Sequence, residues 1–337
     1  MTHFSQGPLR IPWDQVKAIG IMNRRPGHVG RAGITLADVI VLLMVIGASS
    51  LLLLMGVSRA REQARLVGCR KNLGQIGMAL GLYDQMNGHL PEIGPAGPPD
   101  GVTEPPSPSP LKILLVALQL PDLTEIRDRK NRPEPRPGQL PDEVRVPGFV
   151  CASDPNALAG RFPAPINYRA VTGDGLRGEN GAFAPGPARS LAEIEALDGL
   201  SYTAAFSERL VGDNQAGHSA PINYQILPTP LPSGGCPQLS DPSVWHGDAG
   251  SSWTSAGYRS TLYNHALQPN GRPSGIAIDG RSAYMGASSG HVGGVNLLLL
   301  DGSVSLIRHS INPKVWRDYA AINAPPQDEA ESIARGR

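Results

Sequence analysis

The stretch VIVLLMVIGASSLLLLMGV, Val39 to Val57, runs 19 residues without a charge. As a helix rising about 1.5 Å per residue it is long enough to span the ~30 Å hydrocarbon core of a bilayer. After it the pattern becomes a stripe. Leu66, Cys69, Leu73, Ile76, Leu80 and Tyr83 recur at spacings of three and four, while Arg65, Arg70, Lys71 and Gln75 fall off that line. Such a stripe is one apolar face of a helix. Run and stripe together predict a continuous helix from Ile34 to about Met86, roughly 80 Å long by the standard rise. Its membrane half is 34–57 and its amphipathic half 58–88. Asn87-Gly88 ends it, since either residue tolerates the left-handed conformation, and Pro91 follows.

Beyond residue 88 the periodicity shortens. Eight prolines lie between Pro91 and Pro110, which excludes helix and central strand. Leu111 to Leu120 is apolar and of ambiguous type, and Arg127 to Gly138 reads as a second, charged loop. From there to Gly290 short apolar pieces, such as Ser201 to Phe206 and Gly275 to Ile278, alternate with Gly, Pro, Asn and Asp clusters. They predict small strands and long loops. From His291 an apolar run, the pair Asp301-Gly302 and an alternating second strand to Ile307 predict a β-hairpin, with Asp-Gly supplying two positive-φ turn residues. The fold class expected is α+β, a long N-terminal helix packed on a loop-rich, mainly antiparallel β head over 89–324. A mobile tail is expected over 325–337.

Composition changes this picture little. Apolar residues make 40% of the 337, and 40 Gly with 33 Pro mark a folded but loop-rich chain. A net charge of +1 gives no field for a polyanion, so nucleic acid is not an expected partner. Cys69, Cys151 and Cys236 show no C-x-x-C spacing, which argues against a zinc or thioredoxin-like site. In an exported domain they amount to one disulfide and one spare thiol. Residues 1–33 carry Arg10, Lys17, Arg24, Arg25 and Arg31 against Asp14 and read as a leader, of more ordinary length if the true start is Met22. A secretory signal peptide is the competing reading, cut near Ala48 to Ser50. The basic residues after the run, Arg59 to Lys71, taken alone favour a cytoplasmic C-terminus.

The entrance to the run, Gly33-Ile34-Thr35-Leu36-Ala37-Asp38, resembles the G-F-T-L-I-E entrance of bacterial type IV prepilins and type II secretion pseudopilins. The resemblance implies cleavage after Gly33 by a prepilin peptidase and N-methyltransferase. Ile34 becomes the new N-terminus, and the Asp38 carboxylate neutralises its amine during assembly. Ile34 stands for the usual Phe and Asp38 for Glu. The segment CRKNLGQIGMALGLYDQMNGHLP resembles a second element, that of a large pseudopilin-like family, as do VPGFVCASDP, INYRAVTGDG and TLYNHALQPNG. The spacing His291-x9-Asp301-Gly302 is similar to that family's C-terminal signature. The family implies a pilin-like fold and a non-enzymatic subunit of the bacterial inner membrane, its head outside the cytoplasm. Its partners would be related pseudopilins and inner-membrane components of a secretion machine, with no cofactor. That topology overrides the charge rule, because long domains translocate largely regardless of charge. Since Cys69 and Cys151 lie in separate landmarks of the family, the resemblance also implies a disulfide between them.

Other chemistry fits less well. Gly173-Asp174-Gly175-Leu176-Arg177-Gly178 matches a dinucleotide fingerprint, but ENGAFAPGP after it cannot start the helix that would bind pyrophosphate. Gly286-Ala-Ser288-Ser-Gly290 matches a nucleophile elbow without the following helix. His291 reads either as a ligand or acid-base group facing Asp301 across the hairpin, or as a histidine bonding a loop carbonyl. With His218, His246 and His265 isolated, the second is preferred, no metal is expected, and His291→Ala should act mildly. Calcium at Asp174 to Asn180 lacks an EF-hand spacing. Thr35-Leu-Ala-Asp38 also fits a capping box, a role compatible with assembly. The alternatives to a filament subunit are a monomeric anchored binding module, for glycan or protein, and an anchored hydrolase.

Overall fold

The computed structural model describes residues 35–94, 107–115, 117–118 and 144–322, with the backbone alone for 51–56. Gly33, Ile34, the leader, the loop 127–138 and the tail from Pro325 lie outside the described residues. The chain divides into two units, Met1–Gly56 and Val57–Arg337. Helix α1, Leu36–Asn87, contributes to both.

In the first unit Asp38 closes a capping box. Its Oδ2 accepts from Thr35 N at 2.9 Å and from Thr35 Oγ1 at 2.7 Å, and Asp38 N donates back to Thr35 Oγ1 at 3.3 Å. Among the described residues no helix is long and apolar enough to cross a membrane. The side chains of Leu51 to Gly56, inside the expected span, are not among those described.

In the second unit the stripe is the buried face of α1. Cys69, Leu73, Ile76 and Leu80 are buried, Leu66 and Tyr83 half-buried, and Lys71 and Gln75 exposed. Burying each Leu or Ile stabilises by about 1.5–3 kcal/mol. Gly88, at φ +77°, ends the helix and donates to Asp84 O at 2.7 Å.

The head is α+β with mixed sheets. Strands β1 (Tyr168–Val171), β2 (Ala204–Glu208), β5 (Leu262–Tyr263), β8 (Gly294–Leu299) and β9 (Val304–Arg308) form one sheet in the order β5-β1-β2-β8-β9. Strands β3 (Tyr224–Leu227), β4 (Trp245–His246), β6 (Gly275–Ala277) and β7 (Ala283–Tyr284) form the other, β4-β3-β6-β7. Pairing is antiparallel except for β1 with β5 and β3 with β6, which are parallel. Parallel neighbours need long crossovers, and here other strands intervene in sequence: β2, β3 and β4 between β1 and β5, and β4 and β5 between β3 and β6. The expected strand Ser201 to Phe206 begins instead with a 3₁₀ turn, Leu200–Tyr202, and β2 starts at Ala204. The ambiguous segment at Leu111 starts as a short helix, α2 (Pro110–Leu114), capped by Ser109. Helices α3 (Pro155–Leu158), α4 (Leu191–Leu197) and α5 (Pro313–Asp318) are likewise short.

The hairpin is β8 with β9, in register Leu298↔Val304. Its turn differs from expectation in that Gly302, at φ +84°, has positive φ and Asp301 does not. Gly302 N donates to Leu299 O at 3.0 Å and Leu299 N to Ser303 O at 2.9 Å. This is a type I turn closed by a glycine bulge rather than a two-residue mirror turn. Asp301 works through its side chain, accepting from Ser303 N and Ser201 Oγ, each at 2.8 Å. Burial alone would raise its pKa, but these bonds hold it below the ordinary value. Helix α1 crosses this turn at Gly77, where a Cβ would stand 3.0 Å from Leu298 Cδ1 and 3.2 Å from Gly302 Cα.

Candidate functional site

Cys69 on α1 and Cys151, just before α3, are joined by a disulfide with Cα atoms 5.3 Å apart, 82 residues apart in sequence. Cys151 is placed by Asn167, whose Oδ1 accepts from Cys151 N at 2.9 Å. Asn167 Nδ2 donates to Asp154 Oδ2 at 2.6 Å, and the same oxygen accepts from Val211 N at 2.7 Å. Asp154 also caps α3 through Asn156 N and Ala157 N. Burial is the leading influence on its carboxyl and leaves the pKa raised despite these donors.

His291 sits against this disulfide and far from the turn, since it and Asp301 lie at opposite ends of β8. Its ring bonds two carboxylates rather than Asp301 or a loop carbonyl: Nδ1 is 2.7 Å from Glu62 Oε1 on α1, and Nε2 is 3.5 Å from Glu208 Oε1 at the end of β2. Nε2 is also 3.4 Å from Cys151 Sγ. The His291 and Glu208 side chains are each 2% exposed. Burial opposes a charge on His291, but Glu208 and Glu62 more than offset it and raise its pKa. Glu62 shows the reciprocal effect: burial would raise it, yet His291, Ser153 and Arg65 hold it low. A charged imidazolium between two carboxylates is the state this geometry favours.

Both acids have further partners. Ser153 Oγ lies 3.0 and 3.2 Å from the Glu62 oxygens, and Arg65 Nη1 is 3.3 Å from Oε2. Glu208 accepts from Asn296 N at 3.1 Å and Asn296 Nδ2 at 2.9 Å, and Arg70 Nε donates to Asn296 Oδ1 at 3.1 Å. Helix, loop and two central strands therefore meet at one polar point. Beside it a groove of about 420 Å³ is lined by Arg65, Gly68, Cys69, Asn72, Pro147 and Val150.

Glu62, Glu208 and Asn296 were not anticipated from sequence. Glu62 lies seven residues before Cys69, on the same helix face. Glu208 ends AAFSE, a strand led by Ala204, Ala205 and Phe206, where an acid signals a buried partner. Of the other residues singled out, Ser288 Oγ accepts from Leu210 N, Asp174 pairs with Asn180 Nδ2 at 2.9 Å, and the Gly173 segment is a loop. His265 is buried, bonds Tyr263 OH and Trp316 O, and stacks on Trp316. His218 pairs with Asp213. Burial pushes the Cys236 thiol up to about 11.

Residues 58–314, about three quarters of the chain, match the family described as Protein of unknown function (DUF1559), and the chain belongs to that family. The match takes in both bridged cysteines and the His291, Asp301, Gly302 signature, and fits the pilin-like H-x9-D-G family in general. It begins after the apolar run, so Gly33 to Asp38 lie outside it. No curated protein and no solved structure matches the chain.

Proposed function

We propose that this DUF1559-family chain is a pseudopilin-like subunit, cleaved after Gly33, anchored in the inner membrane through Val39 to Val57, and assembled into a type II secretion or type IV pilus-like filament. The observation carrying this reading is the start of α1, where Leu36 is 78% exposed and every residue from Val39 to Ile46 is 40–62% exposed. A helix apolar on all sides requires lipid or other helices around it. Asp38 at its mouth supports the reading too. An acid at the membrane edge is costly, and the ammonium of a processed Ile34 offsets part of that cost.

N-terminal sequencing of membrane-purified protein should find an N-methylated Ile34. Asp38→Ala should still insert, since it makes the segment more apolar, but fail to crosslink into filaments, while Asp38→Glu is tolerated. A retained leader, or a cut near Ala48 to Ser50, would overturn the reading. One observation favours the second reading, an anchored binding module. A cleft of about 710 Å³ is lined by Arg177, Glu179, Tyr258, Asp279 and Arg281. A chain that is processed and inserted yet never self-associates would support it.

A further inference from the structure

We propose that reduction of the Cys69–Cys151 disulfide opens a tetrahedral Zn²⁺ site made of both sulfurs, His291 Nε2 and a Glu208 carboxylate oxygen. The inference does not depend on filament assembly. One ligand atom from each of these residues lies within 4.8 Å of the other three, and all four residues are buried. His291 Nε2 is 3.4 Å from Cys151 Sγ and 3.5 Å from Glu208 Oε1. Bond lengths of about 2.3 Å to sulfur and 2.0–2.2 Å to nitrogen or oxygen place tetrahedral ligand atoms about 3.3–3.8 Å apart. The nitrogen already stands at that spacing from one sulfur and from the oxygen. The sulfurs need only part to about 3.8 Å.

The surroundings are also those of a metal centre. A zinc-binding histidine is oriented by a carboxylate on its other nitrogen, and Glu62 Oε1 stands 2.7 Å from Nδ1. Glu208 is fixed by Asn296, and Glu62 by Ser153. Two thiolates and an imidazole select zinc over calcium or magnesium, which take oxygen. Two thiolates and one carboxylate leave the site at net −1 with Zn²⁺ bound.

The reductant is a dithiol. Its thiolate attacks Cys69 Sγ from the neighbouring groove and the S–S bond breaks. Cys151 leaves as a thiolate beside His291 Nε2. The second reductant thiol then attacks the mixed disulfide and frees Cys69. The protein gains two electrons and the reductant becomes a disulfide. Zinc binding holds both sulfurs as thiolates and Nε2 unprotonated, releasing the thiol protons and the imidazolium proton.

The test uses the full chain carrying Cys236→Ser, which removes the third thiol. Protein reduced with dithiothreitol and desalted without oxygen is titrated with Zn²⁺ and Co²⁺. The result expected is one equivalent bound, with thiolate-to-cobalt charge-transfer and tetrahedral d–d bands, and no binding by the oxidised protein. Glu208→Gln should weaken binding at least tenfold, and Glu62→Gln, at a positioning residue, about 10–100-fold with the cobalt bands retained. X-ray absorption of the zinc-loaded parent protein, which needs no variant at the site itself, should show two sulfurs, one imidazole and one oxygen. The proposal is overturned if the reduced protein binds no metal or if oxidised protein binds equally. It is also overturned if Glu208→Gln leaves affinity unchanged, if the shell lacks imidazole, or if a fold lost on reduction is not restored by Zn²⁺.

Discussion

Replacing His291 by alanine should destabilise the oxidised head severely. The change strands Glu208, whose side chain is 2% exposed, without its cation. Deleting one partner of a buried ion pair costs about 3–5 kcal/mol. Asn296 still donates two bonds, at 3.1 and 2.9 Å, which places the loss near the lower end. Glu62 adds little, because its side chain is 28% exposed and can turn to water. The expected loss is therefore about 3 kcal/mol in urea unfolding of the full chain, followed by near-ultraviolet circular dichroism. Glu208→Gln in the same chain should recover part of it, since an amide needs no counter-ion, giving a coupling of roughly 1–3 kcal/mol in the double-mutant cycle. A loop-bonding histidine would behave differently. If His291→Ala lies within about 0.5 kcal/mol of the parent, or the cycle is additive, the ion-triad account fails.

Reducing the disulfide in metal-free protein, or making Cys151→Ser, should lower stability by up to about 4–5 kcal/mol for a loop of this length, measured by urea unfolding with and without dithiothreitol. Non-reducing peptide maps should show Cys69 bridged to Cys151, and a Cys236 bridge would contradict the structure. Burial pushes His265 down to about 3, so the unfolded chain takes up a proton below about pH 6.5 that the native one refuses. The sign is that His265 costs nothing above pH 6.5 and lowers stability as pH falls towards 3, by roughly 2–3 kcal/mol at pH 4.5. Unfolding curves of parent and His265→Gln across that range should differ in slope, and parallel curves would refute it. Gly302→Ala should cost about 1–2 kcal/mol in thermal unfolding because φ is +84°, whereas Asp301→Ala acts through its two lost side-chain bonds.

What sequence can and cannot convey is clear from single residues. The stripe from Leu66 to Tyr83 was legible because an apolar face repeats every 3.6 residues whatever it packs against. The hairpin was legible from Asp301-Gly302, though not its turn type, because a Gly at positive φ serves both the mirror turns and the bulge. Parallel pairing of β1 with β5 left no local mark, since strand partners are chosen by the tertiary fold. His291 was the sharpest miss. Its signature spacing pointed along the chain to Asp301, while its actual partners come from α1 and β2, 229 and 83 residues away. Periodicity carries no information about contacts of that separation.

This difference explains why polar groups stand where helix meets sheet. An apolar stripe fixes which side of α1 faces the head but only weakly fixes its position along the axis. A slide of one turn, about 5.4 Å, presents a closely similar row of Leu and Ile. Gly77 allows the close approach to Leu298 and Gly302, but it does not forbid a slide of one turn, because Gly74 and Gly81, one turn to either side, also lack a Cβ. The point contacts then select one register: Cys69 to Cys151, Glu62 to His291, Arg70 to Asn296, and Asp84 Oδ1 accepting from Leu191 N at 3.0 Å. A slip by one turn would break all four and leave His291 paired with Glu208 but without Glu62. Gly77→Leu should therefore expose the hierarchy. If the polar contacts set the register, the variant loses about 1–3 kcal/mol to overpacking but keeps the Cys69–Cys151 bridge in a non-reducing peptide map. If packing alone sets it, the helix shifts, the bridge fails to form, and free Cys69 appears in the same map.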